Sequence, residues 1–187
     1  MTMDFTGGIL NEVSEGKGKI LDAGCGNGTQ ALIIAKRNLE SLVHGYDISE
    51  EAIDQANGDR ERDNVLNLSF SVASHDDFQP PYEIDLIYTA GSLIGSDEVH
   101  ESVNTLANVE DIVNKRLSRF YEMLSSGGNY LFTWAATTLV NQTFIEMAKE
   151  NGFHLKSIKD GGVFGEESLD YNSETAMYIT AMIFEKS

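Results

Sequence analysis

Between Ile20 and Thr29 the chain reads Ile-Leu-Asp-Ala-Gly-Cys-Gly-Asn-Gly-Thr: two apolar residues, an acid, then three glycines at alternate positions. Glycines placed there, directly ahead of a helical pattern over 30–37, let the backbone come close to a ligand. Glycine tolerates positive φ and adds no side-chain volume. A second acid, Asp47, follows about twenty residues downstream, the separation at which a carboxylate accepts hydrogen bonds from ribose hydroxyls in nucleotide-binding folds. Its two oxygens can accept from both hydroxyls of a vicinal diol. The glycine spacing departs from the dinucleotide fingerprint, because G-x-G-x-x-G would put its third glycine at Thr29. Here the pattern is Gly24-x-Gly26-x-Gly28, preceded by Asp22.

The elements that position these residues are readable from periodicity. Residues 19–23 predict a buried strand, and 29–37 a helix with Ala31, Leu32, Ile34 and Ala35 inward. Residues 42–46 predict a second strand. Ser49 then reads as an N-cap, with Glu50 and Glu51 where the helix dipole favours acids, and that helix ends near Asn64. Residues 68–73 and 84–89 predict strands three and four, separated by a loop that Pro80-Pro81 enforces. Residues 109–124 give the strongest helical pattern, with Ile112, Leu117, Phe120, Tyr121 and Leu124 near one face. Residues 125–128 read as its glycine stop. A strand over 129–134, a helix over 141–151 ended by Gly152, and strands over 155–159 and 176–185 complete the series. Alternation of this kind predicts a parallel sheet covered on both faces. The last two strands have no helix between them, which permits an antiparallel final strand.

An acid two residues ahead of G-x-G-x-G resembles the first motif of the class I S-adenosylmethionine-dependent methyltransferases. The resemblance implies an α/β fold, a three-layer Rossmann-like sandwich with a seven-stranded, mostly parallel sheet. Its last strand is antiparallel and inserted between the fifth and sixth, in a single domain over residues 1–187. It implies S-adenosyl-L-methionine as cofactor, with the turn of Gly24, Gly26, Asn27 and Gly28 around the methionine end. Asp22 would help hold the ammonium, Asp47 the ribose, and Ile48 would pack on the adenine. Backbone in the stretch 88–93, around Thr89, would face the methionine. The chain departs from the family after the third strand, where Ser74 stands at the usual position of an acid. Either Ser74 and His75 contact adenine, or Asp76 takes over the acid's role.

The resemblance implies methyl transfer, here to a small-molecule acceptor. The alternatives are a non-catalytic cofactor-binding partner or regulatory subunit, and a protein methyltransferase. Residues 88–93 (Tyr-Thr-Ala-Gly-Ser-Leu) lack the Asn/Asp-Pro-Pro-Tyr/Phe motif of enzymes that methylate exocyclic or amide nitrogens. The sulfonium already activates the methyl group, so transfer needs mainly alignment and exclusion of water. No catalytic residue is therefore assigned; Tyr88, Glu98, His100, Trp134 and Tyr171 lie near the expected opening. Segments 95–108 and 161–172 are expected to cover the acceptor pocket, with a second subunit as a possible contributor in a homodimer.

Composition narrows the partners. At 187 residues with 41% hydrophobic and 9% aromatic content, the chain can build one substantial core. A formal charge of −17, with 13 Lys and Arg scattered along the chain, argues against nucleic acid, whose binding relies on basic contacts to phosphate. No apolar run reaches the roughly 18 residues of a membrane span, so no membrane partner is expected. No secretory signal is read in residues 1–8, and the single Cys25 cannot form an internal disulfide. A cytoplasmic location is expected. No Cys/His cluster or calcium-loop spacing is present, and no metal site is predicted.

Overall fold

The strands take short β-branched and aromatic-rich runs: β1 Lys19–Ala23, β2 Leu42–Asp47, β3 Leu68–Val72, β4 Ile84–Ala90, β5 Leu124–Ala136, β6 Phe153–Val163 and β7 Tyr178–Lys186. The helices are α1 Thr2–Ser14, α2 Thr29–Arg37, α3 Glu50–Arg62, α4 Leu106–Met123 and α5 Thr138–Glu150. The computed structural model describes residues 2–93, 106–136, 138–163 and 178–187.

The seven strands form one sheet in the order β3-β2-β1-β4-β5-β7-β6. Pairing is parallel from β3 through β5, while β7 runs antiparallel to both β5 and β6. This is the Rossmann-like sheet expected from the sequence, with its last strand reversed and inserted. The winding direction changes between β1 and β4, and in open α/β sheets ligands bind beyond the carboxyl ends of strands at that point.

Alternate residues of each strand feed two separate cores. On one face Leu21, Ile87, Tyr130 and Phe184 pack with Val113, Leu117 and Phe120 of α4 and with Phe144 and Ala148 of α5. On the other, Ile20, Leu86, Leu131 and Ile183 pack with Ile9 and Leu10 of α1 and with Ala31, Leu32, Ile34 and Ala35 of α2. Helix α1 thus backs the sheet beside α2.

Two local readings of the sequence are corrected. Helix α4 buries Val113, Leu117 and Phe120 together with Arg116, while Ile112 stays only partly covered. Residues 125–128 do not separate this helix from a later strand: β5 begins at Leu124, paired with Ile84, and its register shifts before Asn129 meets Leu86. Gly127, at φ 73°, absorbs the turn within the bulge. The Leu124 carbonyl accepts from Lys186 Nζ at 2.7 Å, so a cation from β7 meets the carbonyl that the helix leaves behind.

Candidate cofactor site

Strand β1 ends in the glycine turn, and the turn is built by its neighbours. Gly24, Gly26 and Gly28 all adopt positive φ, at 74°, 53° and 74°. At Gly24 an added Cβ would lie 2.4 Å from Ser92 Cβ, and at Gly28 it would lie 2.5 Å from Phe70 Cζ. Gly26 is different: nothing stands within 4 Å of the corresponding point. The outer two glycines are required by the protein's own packing, whereas the middle one leaves an open face for a ligand.

The amides of the turn point inward. Gly24 and Cys25 N–H both donate to the Tyr46 carbonyl, at 2.8 and 2.9 Å, and Gly28 N–H donates to the Cys25 carbonyl at 3.0 Å. Gly26 N–H donates to Asp47 Oδ2 at 2.8 Å. Four amides that could have cradled a phosphate are therefore satisfied within the protein, which is unlike an anion-binding nest.

The acids complete the contrast. Asp22, next to last in β1, is 3% exposed, and its Oδ2 has no hydrogen-bond partner among the described residues. Burial pushes its carboxyl up to about 7; the Ala31 backbone amide opposes this and the Asp47 charge adds to it. A buried carboxylate oxygen left without a partner is costly, and an ammonium group would satisfy it. Asp47, half-buried at the end of β2, takes Gly26 N–H on Oδ2 and Ser49 N–H on Oδ1 at 3.0 Å. Each oxygen keeps a further lone pair for a hydroxyl. Beside it Ile48 is 76% exposed, an apolar side chain with no protein covering it. Ser49 caps α3 by accepting Ala52 N–H at 3.2 Å, which fixes the path of the chain just beyond Asp47.

A site whose turn amides are taken up by the protein, with a buried, unpartnered carboxylate oxygen, a diol-accepting acid and an open glycine face, suits an amino-acid nucleoside cation. A family model described as a methyltransferase domain matches residues 14–176. The chain belongs to the class I S-adenosylmethionine-dependent methyltransferases. Its cofactor is S-adenosylmethionine. No curated protein matches the sequence. Among solved structures, the [4+2]-cyclase SpnF superposes with a TM-score of 0.74 at 15% identity, covering 98% of this chain and 80% of that one. A TehB-like S-adenosylmethionine-dependent methyltransferase from Corynebacterium glutamicum gives 0.60 at 22% identity, covering 91% and 80%. The N-methyltransferase NodS from Bradyrhizobium japonicum, in complex with S-adenosylhomocysteine, gives 0.69 at 16% identity, covering 99% and 86%. Similarity at these identities speaks to the fold alone.

The remaining residues singled out in this methyltransferase chain fall into two groups. Ser74 and Asp76 lie in the loop after β3, near the rim. Ser74 accepts Asp76 and Asp77 N–H at 3.2 Å and donates to Asp77 Oδ2 at 2.6 Å, so it caps its own turn. Asp76 pairs with Lys115 at 3.2 Å. Asn27 is exposed and its Oδ1 accepts from Thr29 Oγ1 at 2.8 Å. By contrast His75 is neither a solvated loop residue nor a side chain turned outward. It is 9% exposed, with Nδ1 2.8 Å from the Tyr46 hydroxyl and Nε2 2.6 Å from the Ser92 carbonyl. Thr89 is fully buried, its hydroxyl 2.9 Å from Tyr130 Oη. Tyr88 is likewise buried, and Trp134 packs beside Phe132 with ring centroids 5.7 Å apart.

Glu98, His100 and Tyr171 lie outside the described residues, as do 95–105 and 164–172 of the expected covering segments. Residues 106–108 belong to α4 and 161–163 to β6. Two arginines that the sequence showed only as scattered positive charge belong to the site's frame. Arg116, 4% exposed, donates to the Leu93 carbonyl at 2.6 Å, and Arg119 donates to the carbonyls of His75 (3.1 Å) and Phe78 (2.8 Å). Their i, i+3 spacing on an otherwise apolar helical face was the available signal.

Proposed function

We propose that this domain transfers the methyl group of S-adenosylmethionine to a small-molecule acceptor. The observation carrying the cofactor-binding part of this reading is the buried Asp22 Oδ2, which lacks a partner beside a glycine turn whose amides are already satisfied. In this reading Asp22 accepts from the cofactor's ammonium and Asp47 from its ribose hydroxyls. Ile48 covers one face of the adenine, the open side of Gly26 admits the ligand backbone, and Asn27 lies at the rim. When bound, the cofactor supplies a methyl group already activated on a sulfonium. The chain's own residues orient that group and exclude water, and alignment alone contributes a large share of such a rate enhancement.

The small-molecule part rests on what the chain carries and lacks. The −17 charge repels a polyanionic acceptor. The stretch after β4 has no Asn/Asp-Pro-Pro motif to grip a planar nitrogen. Titration calorimetry with S-adenosylmethionine, S-adenosylhomocysteine and NAD tests the cofactor roles: the first two bind and NAD does not. Formation of S-adenosylhomocysteine across a panel of small acceptors, with none on basic proteins or RNA, tests the acceptor class. Turnover confined to a protein or nucleic acid would replace it.

A further inference from the structure

The ends of β1, β2 and β4 and the loop after β3 meet at one imidazole. His75 Nε2 lies 2.6 Å from the Ser92 carbonyl, and a carbonyl can only accept, so Nε2 carries the proton. In the neutral ring Nδ1 then accepts from the Tyr46 hydroxyl, 2.8 Å away. Tyr46 in turn receives the Gly24 and Cys25 amides on its backbone carbonyl. Ser92 donates its hydroxyl to the Ala23 carbonyl at 2.6 Å. The contacts close on themselves: glycine turn to Tyr46, Tyr46 to His75, His75 to Ser92, and Ser92 back to the residue before Gly24.

Three features make the ring of contacts stiff. Arg119 donates to the His75 carbonyl, fixing the backbone from which the imidazole projects. Arg116 holds the Leu93 carbonyl, so two successive carbonyls of the chain leaving β4 are gripped from different elements. Tyr46 itself is wedged by stacking on Phe78, with centroids 4.3 Å apart, and by an edge contact with His75. None of these groups needs to touch the cofactor for its pocket to depend on them.

We propose that His75 is a positioning residue for the cofactor site, whose Nε2–H, fixed by the Ser92 carbonyl and supported by the Tyr46 hydroxyl on Nδ1, holds Ser92 against the glycine turn. The inference rests on the S-adenosylmethionine reading above and adds a role for the tautomer of a residue whose two ring nitrogens are both taken up by the protein.

S-adenosylhomocysteine affinity by calorimetry, melting temperature and the imidazole 15N spectrum of His75 test it together. If the wild-type chain binds no S-adenosylhomocysteine, the cofactor reading itself falls and this inference with it. Given wild-type binding, Tyr46→Phe is the informative variant, because it keeps the ring stack and the backbone carbonyl and removes only the hydroxyl. It should weaken S-adenosylhomocysteine by about three- to tenfold, in the range of one lost hydrogen bond. The His75 Nδ1 resonance should shift as it loses its hydroxyl donor, while the proton stays on Nε2 opposite the Ser92 carbonyl. His75→Phe should lose about tenfold or more, and His75→Gln, which keeps an N–H for Ser92, should recover part of that. Wild-type affinity in Tyr46→Phe overturns the proposal. So does a wild-type spectrum with Nδ1 protonated, or an affinity loss in His75→Phe that merely follows the fraction unfolded.

Discussion

Ser92 lies directly against Gly24: a Cβ at Gly24 would fall 2.4 Å from Ser92 Cβ and 2.6 Å from its Oγ, while that hydroxyl donates to the Ala23 carbonyl. The loop after β4 is thereby seated on the turn after β1, across the point where the sheet's winding reverses. The first glycine of the motif is fixed by this contact between two parts of the protein before any ligand is considered.

Gly24→Ala should therefore be destabilising for two separable reasons. The methyl group overlaps Ser92, and the left-handed φ costs an L-residue about 1–2 kcal/mol. Adding Ser92→Gly should relieve the overlap and leave the φ cost, whereas Ser92→Ala keeps its Cβ and should give no relief. Urea unfolding of the single and double variants measures the coupling. Equal stability of the two double variants would show that the contact is not what excludes a side chain.

Gly26→Ala and Gly28→Ala should separate binding from folding. At Gly28 the new methyl meets Phe70 and Ala56, both in the protein's packing, so Gly28→Ala should lower the melting temperature most. At Gly26 there is room, and the expected stability cost is only the φ term of about 1–2 kcal/mol. Cofactor affinity should nevertheless fall sharply in Gly26→Ala, because the methyl enters the open face. Calorimetry with S-adenosylhomocysteine beside thermal melts would detect the opposite ranking.

Much of this was legible in short stretches of sequence. The bounds of β1 and α2, the inward residues of α2 and the Ser49 cap all follow from local periodicity and capping chemistry. What escaped depends on distant partners. His75 has the look of a loop histidine until Tyr46, 29 positions away, and Ser92, 17 away, close on its two nitrogens. Arg116 counts as one more surface cation until Leu93 offers a buried carbonyl. Residues 125–128 look like a helix stop because only Ile84, far back in the chain, pulls Leu124 into the sheet.

Asp47→Ala should weaken S-adenosylhomocysteine by about 1–3 kcal/mol, since it removes an acceptor for the ribose and leaves Gly26 and Ser49 N–H without their carboxylate. Asp47→Asn should fall between wild type and Asp47→Ala, its single carbonyl oxygen serving one of the two amides. Unchanged affinity in Asp47→Ala would remove the residue from the ribose role.

Asp22 sets a pH dependence whose sign is fixed by the direction of its shift. The folded carboxyl titrates near 7, against an ordinary value of 3.8, chiefly because it is buried. Between those values the folded chain keeps a proton that the unfolded chain has released. The stabilising contribution is therefore complete below about pH 4 and is lost as pH rises through about 7. The unligated protein should lose on the order of 2–4 kcal/mol relative to Asp22→Asn between about pH 4 and about pH 8. Ligand binding should run the other way, because an ammonium group favours the ionised carboxylate. S-adenosylhomocysteine affinity should rise from about pH 6 to about pH 7.5 in the wild type and change less in Asp22→Asn. Parallel affinity profiles for the two proteins would separate Asp22 from the ammonium, even if the stability profiles diverge as expected.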